Sequence, residues 1–298
     1  MERRRFLQLI AVISPFMYSG CSMLWRSGGG SHSLLDVATP PATDLEDMTS
    51  TNPSAASSDA HDHSAHAKVV DFDRDFPDDI FIQPNEQALI AGVLDKFRAV
   101  RLYVGAGNFN LLGMDELFQT SEHVGRCAPF TTAEKTFLDS LFYRDAKLLG
   151  FFGERVFHKL TDTVERREMV KVPDTGHFLR KGQSLDTYLR IKKDVGRSLI
   201  LTSGVRALAK QFHLFLEKTA VSNGNYSRAS RSIAPPGYSF HGLHDFDVGK
   251  IDFGEANFTD DFAGTREFKQ LCQLGYVDIR YKQRNDLGVR FEPWHIKV

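Results

Sequence analysis

Cysteine, tryptophan and net charge are all scarce in this chain. Three cysteines and two tryptophans occur among 298 residues, and the formal net charge is −1. Near neutrality removes the basic field that a nucleic-acid partner needs, so no nucleic acid is expected as a ligand. Beyond Cys21 only Cys127 and Cys272 remain, far apart in sequence, which predicts two free, buried thiols rather than a disulfide framework. Neither a Gly-rich phosphate loop nor a nucleophilic serine elbow is present, which disfavours nucleotide chemistry and a serine hydrolase. What the chain does have is ordinary globular composition, 42% hydrophobic and 25% charged, with 24 phenylalanines to fill a core. Its length suits one large domain or two small ones.

The N-terminus reads as an export signal. Met1 to Arg5 are cationic, and the apolar stretch Phe6 to Tyr18, broken by Pro15, falls short of the roughly 20 residues of a membrane span. Arg3-Arg4-Arg5-Phe6-Leu7-Gln8 resembles a twin-arginine pattern, and Tyr18-Ser19-Gly20-Cys21 resembles a lipobox. The expected product is an exported, periplasmic lipoprotein whose membrane contact is a lipid on Cys21; a plain secretory signal is the alternative. From Arg26 to about Lys68 the chain is rich in Gly, Ser, Thr, Pro, Ala and Asp. Such a segment buries too little apolar surface to offset ordering entropy and reads as a tether. Its Asp59, His61, Asp62, His63 and His66 could capture metal, but nothing fixes a geometry there, so a polar linker is the simpler reading.

Beyond the tether, apolar residues at helical spacing predict a helix over 85–104 (Ala88, Leu89, Val93, Phe97, Val100). Thr131 followed by Glu134 is a capping-box pattern opening another helix, with apolar positions from Phe137 to Leu149. Asn108-Phe109-Asn110 between them reads as a loop. Ser198 to Thr202 is strand-like, Ser203-Gly204 turns, and a helix is predicted over 205–220. Asp245-Phe246-Asp247-Val248 alternates like a strand. A helix over 262–274 is expected to end at a left-handed Gly275. Residues 279–281 and 289–292 could pair as strands about Asn285-Asp286-Leu287-Gly288. The class is α+β, an antiparallel sheet with flanking helices.

The chemistry lies in the last sixty residues: Ser239-Phe240-His241, then Asp247, then Glu292-Pro293-Trp294-His295. Two neutral imidazoles and a carboxylate can fill three corners of a Zn²⁺ tetrahedron and leave the fourth for water. A nearby glutamate that is not a ligand can take that water's proton. Glu292 and His295 would face opposite sides of an ideal strand, so a turn or bulge at Pro293-Trp294 is required. His213 interrupts an apolar helix face and reads as a packing or surface residue. His123, His158 and His177 lack ligand-type partners at a telling spacing.

These segments resemble the VanY/VanX type of zinc D-alanyl-D-alanine carboxypeptidase. The family carries Ser-x-His then Asp, and Glu-x-Trp-His later; it also carries Ser-Gly-x-Arg with Gln five residues on, matched by Ser203-Gly204-Val205-Arg206 and Gln211. Pro236-Gly237 before the first ligand matches too, and the resemblance runs from about Asp194 to His295. It implies a hedgehog/DD-peptidase-like metallopeptidase fold. It also implies Zn²⁺ held by His241, Asp247 and His295, Glu292 as general base, and Arg206 contacting substrate or the developing oxyanion. Gln211 would orient the arginine loop or bind substrate, and Ser239 would bind substrate or support the ligand loop.

The family places six residues between the first His and the Asp; this chain has five. The missing residue is expected in the Gly242-Leu243 turn, with Asp245 as the fallback ligand. His244 stands where the family has glycine and reads as a solvated loop residue rather than an extra ligand. The expected organisation is an export signal over 1–21, a tether over 22–68, a helical region over 69–150 packed on the catalytic part, and the zinc carboxypeptidase domain over 151–298. The expected activity is metal-dependent trimming of peptidoglycan stem peptides. A murein endopeptidase of the same fold, or a non-catalytic envelope lipoprotein binding murein or metal, are the alternatives.

Overall fold

In a computed structural model, residues 66–125 and 127–298 are described. The export signal and almost all of the tether, including Asp59, His61, Asp62 and His63, lie outside them. Among the described residues no helix is long and apolar enough to cross a membrane.

Helices dominate the first half. Helix α1, Glu86–Val104, buries Ile90, Val93, Leu94, Phe97 and Val100, one stripe at spacings of three and four. Helix α2, Met114–His123, buries Met114 and Leu117. Helix α3, Thr132–Tyr143, starts at the predicted capping box: Glu134 N–H donates to the Thr131 hydroxyl, and the Glu134 carboxylate accepts from Thr131 N–H at 2.8 Å. It stops at Tyr143, earlier than the apolar pattern implied, and Ala146–Leu149 forms a separate 3₁₀ turn that continues the buried face. The expected loop at Asn108 is in part a helical turn, Ala106–Phe109, which buries Phe109.

The second half builds the sheet. Strands β1, Met169–Lys171, and β2, Phe178–Arg180, form a hairpin, followed by α4, Gln183–Val195. Strand β3 is Leu199–Ser203 and α5 is Leu208–Val221. Helix α5 begins later than predicted because 204–207 stays extended, with Val205 N–H donating to Phe178 O at 2.8 Å. Strand β4 is Phe246–Lys250, α6 is Arg266–Gln273, β5 is Asp278–Ile279 and β6 is His295–Lys297. The four-stranded sheet runs β3-β4-β6-β5, each neighbouring pair antiparallel.

Two expectations here are corrected. The helix over 262–274 is broken by Thr265, which caps α6 through Phe268 N–H, and Gly275 is not left-handed. Residues 289–292 form no strand; β5 pairs instead with β6, which lies beyond the proline. Cys127 and Cys272 are free, but Cys272 is exposed, next to the buried Leu271 of α6, and Cys127 is half-buried between α2 and α3.

Strand periodicity divides the sheet into two faces. Leu199, Leu201, Phe246, Val248 and Ile296 point to one side, into a core closed by Tyr188 and Ile191 of α4 and Leu271 of α6. The alternate positions, Asp247 and His295, therefore point the other way. A separate core joins α1, α2 and α3 to Leu208, Phe212, Phe215 and Leu216 of α5. Residues before and after position 150 thus share one apolar interior.

Candidate metal centre

Asp247 sits in the middle of the sheet, opposite Ser203 of β3 and opposite His295 of β6. A register irregularity between Leu201 and Ser203 places that serine beside it. His241 arrives from a 3₁₀ turn, Phe240–Gly242, next to the extended arginine segment; Arg206 N–H donates to His241 O at 3.2 Å. The five-residue spacing is absorbed between this turn and β4, so Asp247 stays in register. Glu292 and His295 are brought together by the anticipated turn at Pro293-Trp294, closed by His295 N–H to Glu292 O at 3.1 Å.

One donor atom from each of His241, Asp247 and His295 lies within 4.8 Å of the others, and all three residues are buried. His241 Nδ1 donates to Gly204 O at 2.8 Å, which leaves Nε2 as a lone pair. That lone pair faces Asp247 Oδ1 at 3.2 Å, and both atoms are buried without a hydrogen-bond partner. Burial, then Arg206, pushes His241 down to about 4, so no proton stands between these two acceptors at neutral pH. Two buried acceptors facing one another call for a cation. His295 Nδ1 lies 3.4 Å from the same Asp247 oxygen and 3.3 Å from Glu292 Oε2. The residues present therefore fit a divalent metal with two nitrogen donors and one oxygen donor.

Charge around the centre is arranged to keep Asp247 ionised. Burial alone would raise its pKa, but His241 and Arg206 outweigh it and hold the carboxyl well below the usual range. Arg206 Nη2 donates to Asp247 Oδ2, and its Nε donates to Ser203 Oγ at 2.9 Å. For His295 burial opposes charging, yet hydrogen bonds with Asp245 and Glu292 prevail and push it up to about 9. A metal ion taking Nδ1 would displace a proton there.

The centre opens into a cleft of about 300 Å³ whose walls include Ser203, Arg206, Ser239, Glu292 and Trp294. Gln211 does not line it. Its amide donates to Arg206 O at 2.8 Å and accepts from Gly237 N–H at 2.9 Å, so it staples the arginine segment to the Pro236-Gly237 turn. Asp245, the fallback ligand, is not among the converging donors; its carboxylate meets Arg280 and the far nitrogen of His295 instead. His244 is half-buried outside the cleft, and His213 packs edge-on between Phe97 and Phe109.

Sequence reasoning missed His177. It sits on the turn of the β1–β2 hairpin and lines the cleft with its Nδ1 buried and unpartnered; burial, then Arg206, push it down to about 4. Lys210, in the first turn of α5, also lines the cleft and is pushed down to about 8 by burial. No local motif marks either; only the packing of the hairpin on the Ser-Gly-x-Arg segment brings them in. Tyr281 lies beyond β5, outside the strand expected over 279–281, and closes the wall behind His295, ring centroids 4.8 Å apart and nearly perpendicular.

The mixed helical and antiparallel-sheet chain thus brings His241, Asp247 and His295 together in a buried cluster with Glu292 beside it. Residues 182–298 match the sequence profile of the VanY family, described as D-alanyl-D-alanine carboxypeptidase. No curated protein matches the chain as a whole or in part. Among solved structures, the LdcB LD-carboxypeptidase is 24% identical, with a TM-score of 0.34 over 43% of this chain and 62% of that one. A Zn(II) complex of the vancomycin-resistance D,D-pentapeptidase VanY is 21% identical, with a TM-score of 0.33 over 44% of this chain and 77% of that one. The D,D-dipeptidase VanXYg with a D-Ala-D-Ala phosphinate analogue is 20% identical, with a TM-score of 0.35 over 43% and 52%. This chain thus spans under two thirds of the LdcB structure it resembles.

Proposed function

We propose that this protein is a zinc-dependent D-alanyl-D-alanine carboxypeptidase that trims peptidoglycan stem peptides, held outside the cytoplasmic membrane by a lipid on Cys21. The observation that carries the reading is the pair of facing acceptors, His241 Nε2 and Asp247 Oδ1, with His295 Nδ1 completing the donor set beside Glu292. The profile match over 182–298 supports the peptidase class and the D-Ala-D-Ala substrate. In this reading His241, Asp247 and His295 hold the metal.

Zinc, when bound, supplies a Lewis acid that lowers the pKa of water and polarises the scissile carbonyl. Glu292 is the general base: its carboxylate, buried and adjacent to the centre, accepts the proton of the attacking water and returns it to the departing amine nitrogen. Arg206 keeps Asp247 ionised and oriented, and it uses only two of its five donors on Ser203 and Asp247. Its remaining donors can meet the carbonyl oxygen as negative charge builds there, or the terminal carboxylate of the peptide. Ser239 lines the same cleft and offers a hydroxyl to substrate. Gln211 acts on Arg206 from behind, through the backbone.

The test is incubation of the purified protein with a defined stem pentapeptide, with and without a chelator, followed by mass spectrometry. Release of free D-Ala that stops on chelation and returns with zinc is expected. No cleavage with one equivalent of zinc bound refutes the carboxypeptidase; cleavage at an internal bond reassigns it as an endopeptidase.

A further inference from the structure

Asp245 is a second buried aspartate two residues from Asp247, 2% exposed, and nothing in the proposed reaction uses it. It stands just before β4, and its carboxylate receives four donors. Arg280 grips it as a fork, Nε to Oδ2 at 2.7 Å and Nη2 to Oδ1 at 2.8 Å. The main-chain N–H of Val298 adds a bond to Oδ1 at 3.1 Å. The fourth partner is His295 Nε2, 3.0 Å from Oδ2. Arg280 is itself fixed: its guanidinium lies 4.0 Å from the Phe240 ring centroid, and its main-chain N–H donates to His295 O at 3.0 Å.

The consequence concerns the two nitrogens of one ring. A carboxylate accepts, so the bond to Asp245 requires the proton on His295 Nε2, which makes Nδ1 the nitrogen that gives up its proton and offers a lone pair to a metal. Nδ1 is the atom that faces Asp247 Oδ1 and Glu292. Tyr281 blocks the ring from another side, edge against face. We propose that Asp245, clamped by Arg280, is the positioning residue for His295: it selects the tautomer and ring orientation that aim Nδ1 at the metal. The inference rests on the reading of His295 as a zinc ligand. Two aspartates at adjacent inward positions then have opposite tasks, one contacting the ion and the other the back of its partner ligand.

The test measures zinc binding rather than turnover. Zinc affinity is read by competition with a chromophoric chelator for the wild type, Asp245→Ala and Asp247→Ala. The ligand field is read from the visible spectrum after cobalt(II) loading, and folding from circular dichroism. Asp245→Ala is expected to keep one zinc per chain, weaken it about 10–100-fold, and shift the cobalt bands. Asp247→Ala is expected to lose stoichiometric zinc. If Asp245→Ala fails to fold because Arg280 is left unpaired, the double variant Asp245→Ala/Arg280→Met removes both charges and takes its place. Wild-type zinc affinity with an unchanged cobalt spectrum in the folded variant overturns the positioning role alone. Absence of zinc binding by the wild type overturns this inference together with the proposed function.

Discussion

Removing and restoring zinc should move the melting temperature, and the structure sets the size of the effect. The three donors come from different segments: the turn at 240–242, the middle of β4 and the start of β6. Without metal, His241 Nε2 and Asp247 Oδ1 stay buried against each other with no shared proton. The ion binds the native arrangement and has no comparable site in the unfolded chain. Zinc at about one hundred times its dissociation constant then adds about 2.7 kcal/mol of stability. For a body of this size each kcal/mol shifts Tm by about 2–4 °C, so the gain is roughly 5–11 °C. Differential scanning calorimetry of chelator-treated protein, before and after zinc, reads it directly. Asp247→Asn should abolish the shift, and magnesium should not reproduce it, since two of the donors are imidazoles. A wild-type Tm indifferent to saturating zinc would refute the metal centre.

Glu292→Gln should leave zinc stoichiometry intact while turnover falls about 10²–10⁴-fold, measured as D-Ala release; undiminished turnover removes the proposed base. Gly204→Ala should cost about 1–3 kcal/mol in urea unfolding, since a Cβ there would lie 2.0 Å from Phe178 O; wild-type stability would mean that the hairpin yields. His213 is buried and pushed down to about 3, chiefly by burial. The unfolded chain therefore binds its proton first: the stabilisation is complete above pH 6.5 and is lost as pH falls toward 3, by up to about 1.4 kcal/mol per pH unit. His213→Phe should flatten the acid side of the stability curve by that amount, and an unchanged slope would place the acid sensitivity elsewhere.

The parts of this molecule that could be read from sequence are those whose physics is local. The stripe of α1 and the Thr131–Glu134 box concern neighbours within one or two turns, and both are present. The turn at Pro293-Trp294 followed from the need to put Glu292 and His295 on one side of the chain. Long-range pairing was less legible. The strand partner of 278–279 is β6 and not 289–292, because an apolar run does not say across which gap it will pair. His177 reached the cleft through the packing of a hairpin that carries no chemical signature. Asp245 was visible only as a spare ligand; its partner Arg280 lies 35 residues away and has no spacing rule to reveal it.

The single interior shared by the first three helices and α5 sets a practical boundary. A fragment cut at residue 182, where the profile match begins, would keep Arg206 and every proposed metal donor. It would also strip α5 of α1, α2 and α3 and leave Phe212, Phe215 and Leu216 facing water, at about 1.5–3 kcal/mol for each fully exposed side chain. The chemistry of this protein is therefore no transplantable cassette. Any shortened version for expression or engineering must keep these helices and also 75–82, since Asp79 pairs with the buried Arg231 and Ile80 O accepts from Tyr226 N–H at 2.8 Å.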